Sequence, residues 1–135
     1  MHITATELRS LSQNILAAHG FSKEHQHSIT ETLVTAQIDQ CHSHGVWRLL
    51  GIIDTLKHGK IDATASPVVT HEQGAIIKID AKLGAATTAL ALGLPKLIEK
   101  AKQSGIALLA VNHCVHFSAL WVEVEQLTRA GLIAI

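Results

Sequence analysis

The period of the apolar residues changes once along this chain, near Ile61, and that change fixes the class of fold it can adopt. Before it, apolar side chains recur every three and four positions. After it, short β-branched runs alternate with helical stretches. Thr4 as N-cap and Glu7 three residues on form a capping box, with Ile3 placed to staple onto Leu8. Leu8, Leu11, Ile15 and Ala18 follow at helical spacing and Gly20 supplies the stop, predicting a helix over 5–19. Ser22 caps a second helix with Ile29, Leu33 and Ala36 on one face, widened by Val34 and Ile38, ending near Gln40. Ser43 precedes a third, where Val46, Leu49, Leu50, Ile53 and Leu56 repeat until Gly59.

Beyond a linker at 63–67, two β-rich runs at 68–70 and 75–79 flank His71-Glu72-Gln73-Gly74 and read as a hairpin. An Ala/Leu-rich helix over 85–103 follows, with Pro95 expected to kink it and Gly105 to end it. A strand over 106–111, a helix over 118–130 and an apolar run over 132–135 then predict a βαβ unit with parallel pairing. The expected fold is therefore mixed α/β (α+β). A three-helix subdomain at residues 1–64 is followed, at 65–135, by the first half of a mixed α/β domain. No G-x-G-x-x-G sequence occurs, so a Rossmann fold is not expected. A parallel strand is normally buried on both faces, yet the last apolar run stops after four residues, so the chain reads as truncated at its C-terminus.

Of the 135 residues, 47% are hydrophobic and 16% charged, enough to bury a core. Eleven Lys and Arg balance eleven Asp and Glu, which leaves no basic field for nucleic acid or an anionic membrane. No apolar run approaches the roughly 20 residues of a membrane span, and the N-terminus lacks the pattern of a signal peptide. Two cysteines, Cys41 and Cys114, are too few for a disulfide framework. A cytoplasmic protein is the expectation.

Two loops carry the residues of chemical interest. On a helix beginning after Ser43, His44, Arg48, Gly51 and Thr55 fall opposite the apolar stripe. An imidazole one turn from a guanidinium suits an acid-base group beside an anchor for a carboxylate. A surface helix can also carry His and Arg on its polar face, and spacing alone leaves both readings open. The second loop, Asn112 to Ser118, follows a strand's C-terminal end, where ligands of α/β proteins favour binding, and Ser118 is placed to cap the next helix over amides able to hold a phosphate. Cys41, His42, His44, His113, Cys114 and His116 lack metal-site spacing, so no metal is expected, and both cysteines read as small buried hydrophobes. Histidines 2, 19, 25, 27, 58 and 71 read as surface residues, His19 and His58 favouring helix C-termini.

The string Ser43-His44-Gly45-Val46-Trp47-Arg48-Leu49-Leu50, with Gly59-Lys60-Ile61, Asp80, Gly84, Ile98-Glu99-Lys100-Ala101, Gly105-Ile106 and the loop ending His116-Phe117, resembles the malate/L-lactate dehydrogenase family of NAD(P)-dependent oxidoreductases. The run Val111 to Trp121 is similar to the branch that reduces piperideine-2-carboxylate and pyrroline-2-carboxylate. The resemblance implies Ser43 and His44 as a catalytic pair, Arg48 as a substrate-binding residue, and His116, Phe117, Ser118, Ala119 and Leu120 as a segment lining NADPH, or NADH. It also implies a small carboxylate substrate and a homodimer. Two alternatives stand beside imino acid reduction: a 2-hydroxy acid dehydrogenase of malate, lactate or ureidoglycolate type, and a catalytically silent oligomerisation module. Adjacent side chains rarely hydrogen-bond well, so Ser43 is alternatively expected to cap the third helix or touch substrate.

Overall fold

The local signals at the N-terminus are realised in the computed structural model, which describes residues 3–116 and 118–135. His2 and Phe117 lie outside the described residues. Thr4 Oγ1 accepts the Glu7 N–H at 3.2 Å and Glu7 Oε2 accepts the Thr4 N–H at 2.8 Å, closing the capping box of α1 (Ala5–Ala18). Gly20, at φ +81°, ends it: its N–H bonds to Ala17 O, and the Phe21 N–H bonds to Leu16 O. This is a Schellman motif, with Phe21 and Leu16 joining the core beside it. Ser22 caps α2 (Lys23–Ile38), which packs against α1 through Leu16, Ile29 and Leu33. Gln40 then takes the left-handed conformation at φ +59°, while the Cys41 N–H bonds back to Ala36 O.

The third helix departs from expectation. Residues His42–His44 form a single 3-10 turn, Gly45 is extended at φ −81° and ψ −160°, and α3 runs only over Arg48–Lys57. Its N-cap is Trp47, which makes no side-chain capping bond, so Ser43 does not cap it. Gly45 is held against α2, where a Cβ would collide with Gln37 Oε1. The extended residue required there separates the turn from the helix. On α3, Leu49, Ile52 and Ile53 are buried, whereas Leu50 is 71% exposed and falls outside the core it was expected to join.

Strand β1 (Val68–Gln73) pairs antiparallel with β2 (Ile76–Asp80) through a two-residue turn at Gly74 and Ala75, with a bulge between Val69 and His71. The pairing extends β1 through residues expected to lie in the turn. Helix α4 (Ala86–Ser104) continues unbroken past Pro95 and returns the chain to β3 (Leu108–Asn112), parallel to β2. The sheet order is β1-β2-β3. The βαβ unit is thus β2-α4-β3 rather than β3 with the last helix and residues 132–135. Those four residues form no strand. They leave α5 (Trp121–Arg129) through a second Schellman motif, with Gly131 N–H on Thr128 O and Leu132 N–H on Leu127 O. Among the described residues no strand pairs with them, and Ile133 and Ile135 are fully exposed.

Two apolar clusters result. One joins Leu16, Phe21, Ile29, Leu33, Leu49 and Ile52, while the other joins Ile77, Ile79 and Ala89 between the sheet and α4. Gly93 permits that second contact, since a Cβ there would meet Leu109 Cδ2 at 2.7 Å and Ile79 Cδ1 at 2.9 Å. The junction between the clusters is polar. His25, expected at the surface, is fully buried. Its Nε2 accepts the Ala85 N–H at 3.3 Å, so the ring proton sits on Nδ1, 3.0 Å from Ser22 Oγ. Beside it Ser28 Oγ lies 2.7 Å from Thr88 Oγ1. Burial lowers the His25 pKa, partly opposed by the negative charges of Asp62 and Glu24.

Candidate active site

The 3-10 turn sets the geometry of the first loop. Tightening the backbone at His42–His44 brings two adjacent side chains together, and Ser43 Oγ lies 2.9 Å from His44 Nδ1. Cys41 Sγ stands 3.5 Å from the same nitrogen and 3.7 Å from Ser43 Oγ. Cys41 is therefore not a buried hydrophobe but part of the polar turn. Cys114 does pack among the apolar side chains of the sheet, and burial raises its thiol pKa.

Arg48, the first residue of α3, is not stacked one helical turn from His44, because the helix begins after that residue. It is instead tied to the turn directly, Nε donating to Ser43 O at 2.9 Å. The guanidinium lies over the Trp47 ring, 5.3 Å from its centroid. The Nη groups make no hydrogen bond among the described residues, which leaves the planar fork available to a carboxylate.

The loop between β3 and α5 folds back onto this turn. Ser118 Oγ donates to the His44 carbonyl at 3.4 Å, and the His44 ring meets Trp121 edge-on with centroids 6.2 Å apart. Trp121 is held in turn by its Nε1–H on Asp39 Oδ2 at 3.0 Å, anchoring α5 to the end of α2. His116 Nε2 lies 2.8 Å from Thr55 Oγ1 on α3. Arg48, His116 and Ser118 line one narrow cleft together with Thr32, Ile52 and Thr87. Its free volume is about 20 Å³, room for a single water. Ser43 and His44 do not line this cleft but adjoin it through Ser118.

Ala119 is buried, and Leu120 is exposed as the N-cap of α5 without a side-chain bond, so Ser118 does not cap that helix. Phe117 lies outside the described residues. His113 turns away, its Nδ1 3.2 Å from Asp80 Oδ1, a carboxylate whose pKa is lowered mainly by the Lys82 backbone N–H. Among the described residues no three His, Cys, Asp or Glu side chains gather as metal ligands would. The start of α5 does not suit a phosphate. Glu123 occupies its first turn with Oε2 buried and unpartnered, and burial raises its pKa. Thr55 and Trp121 are the contacts that residue type alone did not single out. The only signal was the helical position of Thr55 on the face of Arg48.

The model of the family described as malate/L-lactate dehydrogenase matches residues 3–135. The chain belongs to that family. It is 50% identical over 135 residues to the Δ1-pyrroline-2-carboxylate/Δ1-piperideine-2-carboxylate reductase of Pseudomonas aeruginosa, covering 100% of this chain and 40% of the relative. It is 42% identical over 133 residues to Δ1-pyrroline-2-carboxylate reductase 1 of Burkholderia ambifaria, covering 98% and 39%. The crystal structure of Δ1-piperideine-2-carboxylate reductase from Pseudomonas syringae superposes with a TM-score of 0.89 at 37% identity, over 93% of this chain and 38% of that one. Malate dehydrogenase from Entamoeba histolytica, at 23% identity and a TM-score of 0.89, shares the fold. The chain thus spans about two-fifths of the length of these family members.

Proposed function

We propose that this family member takes part in the NAD(P)H-dependent reduction of cyclic imino acids, piperideine-2-carboxylate or pyrroline-2-carboxylate, to L-pipecolate or L-proline. The observation that carries the reading is the convergence of the Ser43–His44 turn, the Arg48 fork and the His116–Leu120 loop. The names of its relatives point the same way.

Arg48 would hold the substrate carboxylate through its free Nη groups, fixing the C=N carbon beside the loop. His44 would supply the proton gained by the imine nitrogen. As an imidazolium both ring nitrogens donate, so Ser43 Oγ accepts from Nδ1–H and leaves Nε2–H to be delivered. Ser43 thereby fixes the ring's orientation through the transfer. The half-buried Ser118 and buried Ala119 fit the uncharged nicotinamide end of a cofactor rather than its phosphates. NADPH, or NADH, would supply hydride when bound there. Residues 1–64 act in this reading as a helical subdomain and 65–135 as part of the cofactor and substrate domain; the sheet cluster lies within the second range, while the helical cluster also takes in Ala85. The two free thiols support a cytoplasmic setting.

A second reading, a silent oligomerising module, is favoured by the apolar groove between α1 and α3. Leu8, Leu11, Val46, Trp47 and Leu50 line it, and Trp47 is 54% exposed. In either reading a homodimer is proposed. The test is to mix the purified chain with NADPH and piperideine-2-carboxylate and follow cofactor oxidation. Turnover lost in the His44→Ala variant supports the reductase. Cofactor binding without turnover supports the module carrying a partial site, and absence of cofactor binding removes the assignment of the 116–120 loop.

A further inference from the structure

Thr55 lies one turn beyond Gly51 on α3, and its hydroxyl donates to the Gly51 carbonyl at 2.8 Å. Threonines inside helices commonly make this backward bond. A hydroxyl has one hydrogen. With that hydrogen given to Gly51, the 2.8 Å contact between Thr55 Oγ1 and His116 Nε2 requires the imidazole to be the donor. The neutral ring then carries its proton on Nε2 and a lone pair on Nδ1, which has no hydrogen-bond partner among the described residues. The backbone of His116 is left-handed at φ +55°, a conformation uncommon for a residue with a Cβ, and it persists where surrounding contacts impose it. Arg48 is the charged side chain of the cleft; the residues contributed by α2 and α4 are uncharged. Burial and the Arg48 charge both lower the His116 pKa, which favours the neutral ring near pH 7.

We propose that Thr55 is a positioning residue: by accepting from Nε2–H it holds His116 in one neutral tautomer and so leaves Nδ1 a bare acceptor on a residue that lines the same cleft as Arg48. A cleft lined by both a guanidinium and a hydrogen-bond acceptor selects a ligand that pairs a carboxylate with an N–H donor. A cyclic imino acid whose nitrogen has taken the proton supplied by His44 carries both groups, whereas a simple 2-oxo acid such as pyruvate has the carboxylate and no N–H donor. This assignment of the ligand rests on the reductase reading; the tautomer does not. A nicotinamide carboxamide offers the same N–H chemistry from the cofactor.

The experiment is nitrogen-15 NMR of the histidine rings in the purified chain. The expected result is a His116 Nε2–H signal protected from solvent exchange and an unprotonated Nδ1 at neutral pH. In Thr55→Val that protection falls about ten-fold, the loss expected of one hydrogen bond, and in Thr55→Ser it returns. A proton on Nδ1, a charged ring at neutral pH, or unchanged protection in Thr55→Val overturns the proposal, and the wild-type spectrum decides even if the valine variant fails to fold. Separate additions of pyrrole-2-carboxylate and NADPH then show which N–H reaches Nδ1. A Nδ1 resonance that responds to neither overturns the ligand assignment while leaving the tautomer result intact. Absence of turnover in the unmodified chain would count against the reductase reading and not against Thr55.

Discussion

At Arg48 the Nε–H is tied to Ser43 O, and the Nη groups make no hydrogen bond among the described residues, which is the basis for proposing a carboxylate there. Replacing it with Ala therefore removes a charge-assisted bidentate contact of about 2–3 kcal/mol, or about 30- to 150-fold in binding. In the reductase assay Arg48→Ala is expected to raise KM by that factor with a smaller effect on kcat. His44→Ala is expected to lower kcat about 100-fold, the usual loss for an acid-base group, with KM nearly unchanged. Small and equal effects on both constants in both variants would mean an ordinary polar surface. These two residues were legible in the sequence because residue type and proximity suggested them. Their geometry was not, because helical periodicity cannot foresee a three-residue 3-10 turn followed by an extended glycine pressed against Gln37. The Ser43–His44 hydrogen bond depends on that turn. Cys41 was obscured for the same reason, since its contact with His44 depends on that turn, and Thr55 was placed on the right face but its partner His116 comes from 61 residues away.

Among the elements, the helices were legible wherever capping chemistry is written locally, as at Thr4, Ser22 and Gly105. What failed depends on partners distant in sequence. The run 132–135 is apolar enough for a strand, but a strand exists only when another pairs with it. His25 read as one polar residue among several on α2, and its burial arises from the arrival of α4, whose Ala85 N–H it accepts. That contact yields a prediction at this scale. The folded-state pKa of His25 is lowered by burial, so the unfolded chain binds the proton more readily. Stability is then greatest above the unfolded pKa of about 6.5 and falls as pH drops below it toward the folded value. Thermal unfolding followed between neutral and mildly acid pH should show this loss. His25→Ala, which removes two hydrogen bonds and leaves a cavity, should cost about 2–3 kcal/mol at neutral pH and flatten the acid dependence. A variant as stable as the wild type would deny His25 its linking role.

For the molecule as a whole, the two apolar clusters meet at a polar seam beside which the candidate site sits, and the α1–α3 groove faces outward. If a second copy covers that groove, Leu50→Glu should shift the chain to monomer in sedimentation equilibrium at little cost to its melting temperature, since Leu50 is 71% exposed. An unchanged mass distribution would place any self-association elsewhere. The central claim is that Arg48 and the loop after β3 form one binding surface for a carboxylate and a nicotinamide. It is tested most directly by amide and guanidinium NMR of the purified chain during titration with NADPH and then with pyrrole-2-carboxylate, a planar and unreactive mimic of the imino acid. Saturable shifts at Ser118, Ala119 and Leu120 with the cofactor, and at the Arg48 Nε–H with the carboxylate, are the predicted result. Shifts confined to other parts of the fold, or none at Arg48, would contradict the account.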